Sequence, residues 1–245
     1  MDTISANQFR KRIQADPSWA SHITSPLRIN GNFELVNSPI THLSPHLQFV
    51  ATPTNSDATC PRASFIDCKD LKVAEGSFFG GVCFQNSGIE RIGKLHAYQH
   101  KDTNYSASFE ACGNLQCASG EFHGLVIFTG SKIKTIQNLV VKTPSPLGHA
   151  ADFNFCPDLE TATGTYPGFV GFQGSGIHTI KELVITAPNK NGKKANFMEC
   201  ENLQEIPPRI AKISEMFAPK YLIDKLIQTQ SRNLLRRSQP LPDIT

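Results

Sequence analysis

Apolar positions in this chain recur in two short phrases, "AxFxxCxxL" and "VxFxxSxIxxI", which alternate along most of its length. In each phrase apolar residues alternate with variable ones and then meet a small polar residue, the period-two signature of a short strand followed by a bend. The phrases keep a common register. Cys68, Cys112, Cys156 and Cys200 are 44 residues apart, as are Phe65, Phe109, Phe153 and Phe197, and Leu71, Leu115, Leu159 and Leu203. Gly76, Gly120 and Gly164 follow the same step, and so do Gly80, Gly124 and Gly168, then Ser87, Ser131 and Ser175, then Ile92, Ile136 and Ile180. The second phrase lies 19 residues after the first, so half-units of 19 and 25 residues alternate.

A strand this short cannot bury its apolar face alone, but stacking on the next copy can bury it, so the repeat predicts parallel rungs with equivalent residues in columns. One column reads Leu35, Phe65, Phe84, Phe109, Phe128, Phe153, Phe172 and Phe197, a ladder of rings along a dry interior. Three residues on, Ser38, Cys68, Ser87, Cys112, Ser131, Cys156, Ser175 and Cys200 place a small donor where the backbone leaves the strand. The segments "LHAYQ", "LVVKT" and "LVITA", from Leu95, Leu139 and Leu183, predict a second strand per unit on the convex side.

The fold class expected is therefore a mainly β repeat solenoid, a stack of parallel strands with short helical caps. The segments are residues 1–26 as an N-terminal helical cap, 27–206 as the solenoid, and 207–245 as a C-terminal helical cap with a basic tail. Phe9 and Ile13 fall on one face of a front helix that Pro17 stops, and Trp19 is placed to cover the first rung. At the back, Pro219 suits a first helical turn, and Leu222, Ile223, Leu226 and Ile227 form an apolar stripe through which two copies could also associate. Between Leu47 and Ala63, "ATPTNSDATCPR" is an inserted linker, and "QPLPDIT" is a loose tail.

The phrases "ANFMECENLQEI" at residues 195–206, "VGFQGSGIHTI" at 170–180 and "FELVNSPITHL" at 33–43 resemble leucine-rich repeats, specifically the irregular bacterial kind. The resemblance runs from about Leu27 to Ile206, and departs from the family in using Phe where Leu is usual and in having two turn lengths. It implies a binding module built on a parallel β surface. A pentapeptide-repeat helix would need its "A(D/N)Fxx" motif every five residues, and here it occurs once per 44.

Composition narrows the function. The formal charge is only +3, and residues 206–245 hold seven Lys or Arg against three acids, so the basicity belongs to the tail. Charges near the N-terminus interrupt any secretory apolar segment, and no run approaches the roughly 20 apolar residues of a membrane span. These features lead to the expectation of a cytoplasmic protein with no membrane association. Seven cysteines, an odd number, do not read as a disulfide framework. At a strand spacing of about 4.8 Å, cysteines on alternate rungs lie roughly 10 Å apart, too far for a disulfide or one zinc. Cys60, Cys83 and Cys117 lie off the ladder and are candidates for exposure. His96 and His100 would pair on a helix, but the unit predicts strand and turn there. "GFQGSG" lacks the Lys of a phosphate-binding loop, and its glycines read as repeat punctuation. No catalytic constellation assembles, and neither a metal nor another cofactor is expected.

Residues that the repeat does not dictate are the candidates for binding. The two positions after each ladder Phe supply Ile66, Asp67, Glu110, Asn154, Phe155, Gln173, Met198 and Glu199, read as outward-facing strand positions that combine apolar and acidic side chains. They lead to the expectation of a non-enzymatic scaffold that binds a macromolecule, a protein above all, in the manner of a bacterial or phage effector or inhibitor of a host system. The alternative is nucleic-acid binding through the basic tail set Lys220, Lys225, Arg232, Arg236 and Arg237.

Overall fold

A computed structural model describes residues 1–50, 63–99, 105–210 and 212–237, the side chains of 233–237 excepted. Within these residues the chain is mainly β. Two helices, α1 (Ala6–Ala15) and α2 (Lys220–Arg237), flank a series of parallel strands.

From Leu27–Asn30 to Ala195–Asn196, longer strands alternate along the chain with the shorter strands of a separate sheet. The sheet of longer strands runs Asp2–Ser5, Leu27–Asn30, Leu47–Val50, Val73–Phe79, Arg91–Tyr98, Cys117–His123 and Thr135–Thr143, neighbours in space as in sequence. Thr161–Tyr166 and Thr179–Ile185 pair separately. The sheet of shorter strands contains Phe33–Glu34, Ala63–Ser64, Val82–Cys83, Ala107–Ser108, Val126–Ile127, His149–Asp152, Phe169–Gly171, Ala195–Asn196 and Met216–Phe217. Every pairing is parallel, and neither sheet closes. The register follows the alternating half-units, since Ala63 pairs with Val82, Val82 with Ala107, Ala107 with Val126, and Val126 with Ala151.

The core lies where side chains of the two sheets meet. Six ring pairs stack in sequence, Phe65–Phe84, Phe84–Phe109, Phe109–Phe128, Phe128–Phe153, Phe153–Phe172 and Phe172–Phe197, with centroids 5.1–5.5 Å apart and planes within 15°. From the longer strands Phe78, Phe122 and Tyr166 meet this ladder edge-on, at Phe65, Phe109 and Phe153. The Ser/Cys column lies beside the rings. Cys112 Sγ donates to the Phe84 carbonyl at 3.1 Å, Cys156 Sγ to that of Phe128 at 3.1 Å, and Cys200 Sγ to that of Phe172 at 2.8 Å. A small donor is therefore used where the strand ends, as a second partner for carbonyls that already accept the N–H of Ser87, Ser131 or Ser175.

The ends are covered as follows. Ser5 and Gln8 form a reciprocal cap on α1, which buries Phe9 and Ile13; Phe9 meets Trp19, Phe33 and Phe49 edge-on. At the back, Leu222 and Leu226 are buried and Tyr221 donates to the carbonyls of Cys200 and Leu203. Ile227, read as part of the same stripe, is 47% exposed although Leu226 is buried, because at 3.6 residues per turn it lies about 140° round the helix from Leu222. Cys83 is buried, which corrects its reading as exposed: it lies on a short strand between Ser64 and Ser108. Cys117 is half-buried. Cys60, His100, the whole 51–62 linker and the 239–245 tail lie outside the described residues.

Candidate partner-binding surface

The surface grows from the corner after each ladder Phe. Two residues past the ring the backbone turns with a left-handed φ, at Asn37 (52°), Asp67 (57°), Asn86 (55°), Ala111 (56°), Gly130 (68°), Phe155 (55°), Gly174 (64°) and Glu199 (58°). Gly, Asn and Asp adopt this conformation readily, whereas other residues lose roughly 1–2 kcal/mol to the clash of Cβ with the following carbonyl. Up to Gly174 the N–H of each such residue donates to the next rung: Asp67 to the Gln85 carbonyl, Ala111 to that of Thr129, Phe155 to that of Gln173 and Gly174 to that of Met198. The corner is thus tied from rung to rung by backbone bonds.

This corrects the sequence-based reading. Ile66, Asp67, Glu110, Asn154, Phe155, Gln173, Met198 and Glu199 do not lie on a strand face; the short strands stop before each Phe, and these residues form the turn that follows. Phe155 and Met198 are 51% and 39% exposed, Glu110 and Glu199 are exposed, and the other four are half-buried.

The eight separate into groups. Asn154 Oδ1 accepts the Gln173 N–H at 2.7 Å, Gln173 Nε2 donates to Glu199 Oε1 at 2.9 Å, and Asn196 joins through Gln173 Oε1 at 3.1 Å and the Met198 N–H at 3.0 Å. Asn154, Gln173, Met198 and Glu199, with Phe155 beside them, therefore form one network at the C-terminal end. Ile66, Asp67 and Glu110 are on earlier rungs, where Asp67 accepts from the Asn86 side chain and lies 3.8 Å from Lys69.

Beside this network, burial pushes the Asp152 carboxyl up, opposed by the Asn154 N–H and the Thr129 hydroxyl, and burial pushes the neighbouring His149 down. An open depression of about 390 Å³ is lined by Phe155, Pro157, Gly174, Ser175, Gly176, Glu199, Glu201 and Asn202. The Phe155 ring leans over Gly174, where an added Cβ would come within 2.6 Å of it. The glycines read as punctuation therefore also make room for a ring, and Glu201 was missed because it lies beyond the two positions after the Phe.

A second cluster escaped the sequence-based reading. On the outer side of the longer strands, Phe79, Tyr98 and His123 stack with centroids 5.0 and 4.4 Å apart. Beside them Glu121 lies 3.2 Å from His123, 3.9 Å from His96 and 3.8 Å from Lys142. The signal was present, since Phe79, Tyr98 and His123 are separated by the two half-unit lengths.

The basic set is dispersed. Lys220 and Arg232 are exposed, Lys225 Nζ donates to the Gln204 carbonyl at 3.2 Å, and the side chains of Arg236 and Arg237 lie outside the described residues. No helix of the described residues is long and apolar enough to cross a membrane, and no group of three or more His, Cys, Asp or Glu among them is arranged to hold a metal. No protein-family model, curated protein or solved structure matches this chain.

Proposed function

We propose that this chain is a leucine-rich-repeat-like solenoid, capped at both ends, that acts as a non-enzymatic scaffold and binds a protein partner through the corner bearing Phe155. One observation carries the proposal: a half-exposed aromatic ring sits on a backbone tied rung to rung, within the ordered polar network of Asn154, Gln173 and Glu199. A rigid aromatic group inside a polar rim has the composition of a binding hot spot, because little side-chain freedom is lost on docking. The resemblance to bacterial repeat proteins extends the proposal to an effector or inhibitor of a host system, acting in the cytoplasm.

The test is affinity capture from the native host, comparing wild type with Phe155→Ala. Capture is expected to weaken by more than ~1 kcal/mol, roughly fivefold, with the melting curve retained. Joint replacement of Lys225, Arg232 and Arg236 by Gln is expected to matter less. If the tail variant abolishes binding, Phe155→Ala changes nothing and affinity falls steeply with salt, the proposal fails in favour of nucleic-acid binding through the basic tail.

A further inference from the structure

The depression beside Phe155 has walls of definite chemistry. On one side is the exposed aromatic ring, and on the other are Glu199 and Glu201, neither of which takes part in an ion pair among the described residues. Glu199 is also held, since one of its carboxylate oxygens accepts from Gln173 Nε2.

The backbone offers a second, independent observation. Of the eight corner residues, five are Gly, Asn or Asp, for which a left-handed φ is inexpensive; Ala111, Phe155 and Glu199 are the exceptions. Ala111 is the smallest side chain that can occupy such a position. Phe155 and Glu199 are large, and they are the two that face each other across Gly174. Such strain persists only where the surroundings hold it, and outside these corners Glu182 (φ 42°) carries it as well. Here two such residues border one pit.

We infer that this pit receives an arginine side chain from a basic segment of the protein partner. A planar guanidinium can stack on the open side of the Phe155 ring while its forked N–H groups meet the Glu199 and Glu201 carboxylates. A lysine ammonium is a more strongly hydrated point charge and can satisfy only part of that arrangement. The inference rests on the proposed protein-binding role of the same surface and specifies the chemistry of the partner.

The probe is N-acetyl-arginine amide, then a Gly-Arg-Gly peptide, titrated into the full chain and followed by backbone amide shifts. Saturable shifts are expected at Phe155, Gly174, Gly176, Glu199 and Glu201, with the lysine counterparts binding at least about threefold more weakly. Glu199→Gln with Glu201→Gln is expected to weaken arginine binding by about fivefold or more, and Phe155→Leu to remove the preference for arginine. Unchanged shifts elsewhere establish that each variant is folded. Equal binding of lysine, or shifts spread evenly over other acidic corners such as Glu110, would overturn the inference. So would concentration-dependent self-association that the double Gln variant abolishes, which would assign the pit to a second copy of the chain. Partner capture that falls with Phe155→Ala but not with the double Gln variant overturns the arginine assignment alone. Capture indifferent to Phe155→Ala, with arginine still binding, overturns the protein-binding proposal and leaves the pit.

Discussion

Tyr166 stands where the two preceding units have Phe78 and Phe122, and its ring is as buried as theirs. Its hydroxyl has no hydrogen-bond partner among the described residues, and burial pushes its pKa far up. An unpaired buried hydroxyl costs about 1–3 kcal/mol, so Tyr166→Phe is expected to raise stability by about 1 kcal/mol in a denaturant titration. A drop would mean that the hydroxyl has a partner. The ladder thiols are a second case at this scale. Desolvation pushes Cys68, Cys112 and Cys156 up to about 11, against 9.0 for an ordinary thiol. The folded state retains protons that the unfolded chain releases first, so the stability these thiols contribute is intact below about pH 9 and lost as pH rises through about 11. Native protein is therefore expected to leave Cys112 and Cys156 unlabelled by a thiol reagent at neutral pH, and Cys112→Ala to flatten the alkaline fall in stability. Rapid labelling of either residue without unfolding would contradict their burial.

Among the elements, the ring ladder was readable in advance because its register is written directly as a 44-residue recurrence of Phe, and packing permits little else in a dry column. Phe109, stacked on both neighbours and met edge-on by Phe122, tests it. Phe109→Ala is expected to remove roughly 3–5 kcal/mol, measured by urea unfolding. The strands Val73–Phe79, Cys117–His123 and Thr161–Tyr166 do not stand out in the sequence, because each buries only one large ring, Phe78, Phe122 or Tyr166, and small Ala and Gly precede it with little hydrophobic contrast. Their glycines have a specific task. Gly76, Gly120 and Gly164 share φ values of 105–106°, and a Cβ on Gly76 would sit 2.9 Å from the Leu47 carbonyl oxygen. Gly76→Ala is thus expected to destabilise by about 1–3 kcal/mol, through left-handed strain and a backbone clash together. The candidate site was legible only as a set of positions. The identity of Phe155 drew notice, but nothing in its neighbours announces a left-handed turn, since the same column accepts Asn, Asp, Ala, Gly, Phe and Glu.

At the scale of the molecule, one apolar core runs from Ala6 in α1 to Leu226 in α2, while the strands pair with their immediate neighbours, and the turn at Asn189–Lys190 reaches past the Phe169–Gly171 strand to Leu147 and His149. The Phe109 N–H bonds the Ile127 carbonyl, the Phe172 N–H that of Asn196, and the Phe197 N–H that of Phe217. If stability passes only between neighbours, an end should loosen before the middle. Leu222 gives the means to test this, because it is fully buried on α2 beside Tyr221, which caps the Cys200 and Leu203 carbonyls. Leu222→Ser is expected to speed hydrogen exchange at the Phe197 and Phe172 amides by about tenfold or more, while the Phe109 amide changes far less. Phe9→Ala, which opens the other end, is expected to reverse that order. If either substitution accelerates all of these amides equally, the chain unfolds as one cooperative block. The order matters for binding because Phe155 precedes Phe172 by one corner and lies nearer the C-terminal end. A partner seated on Phe155, Gln173 and Glu199 would join three successive corners and slow exchange at Phe172 and Phe197, so protection there measures docking without knowledge of what docks.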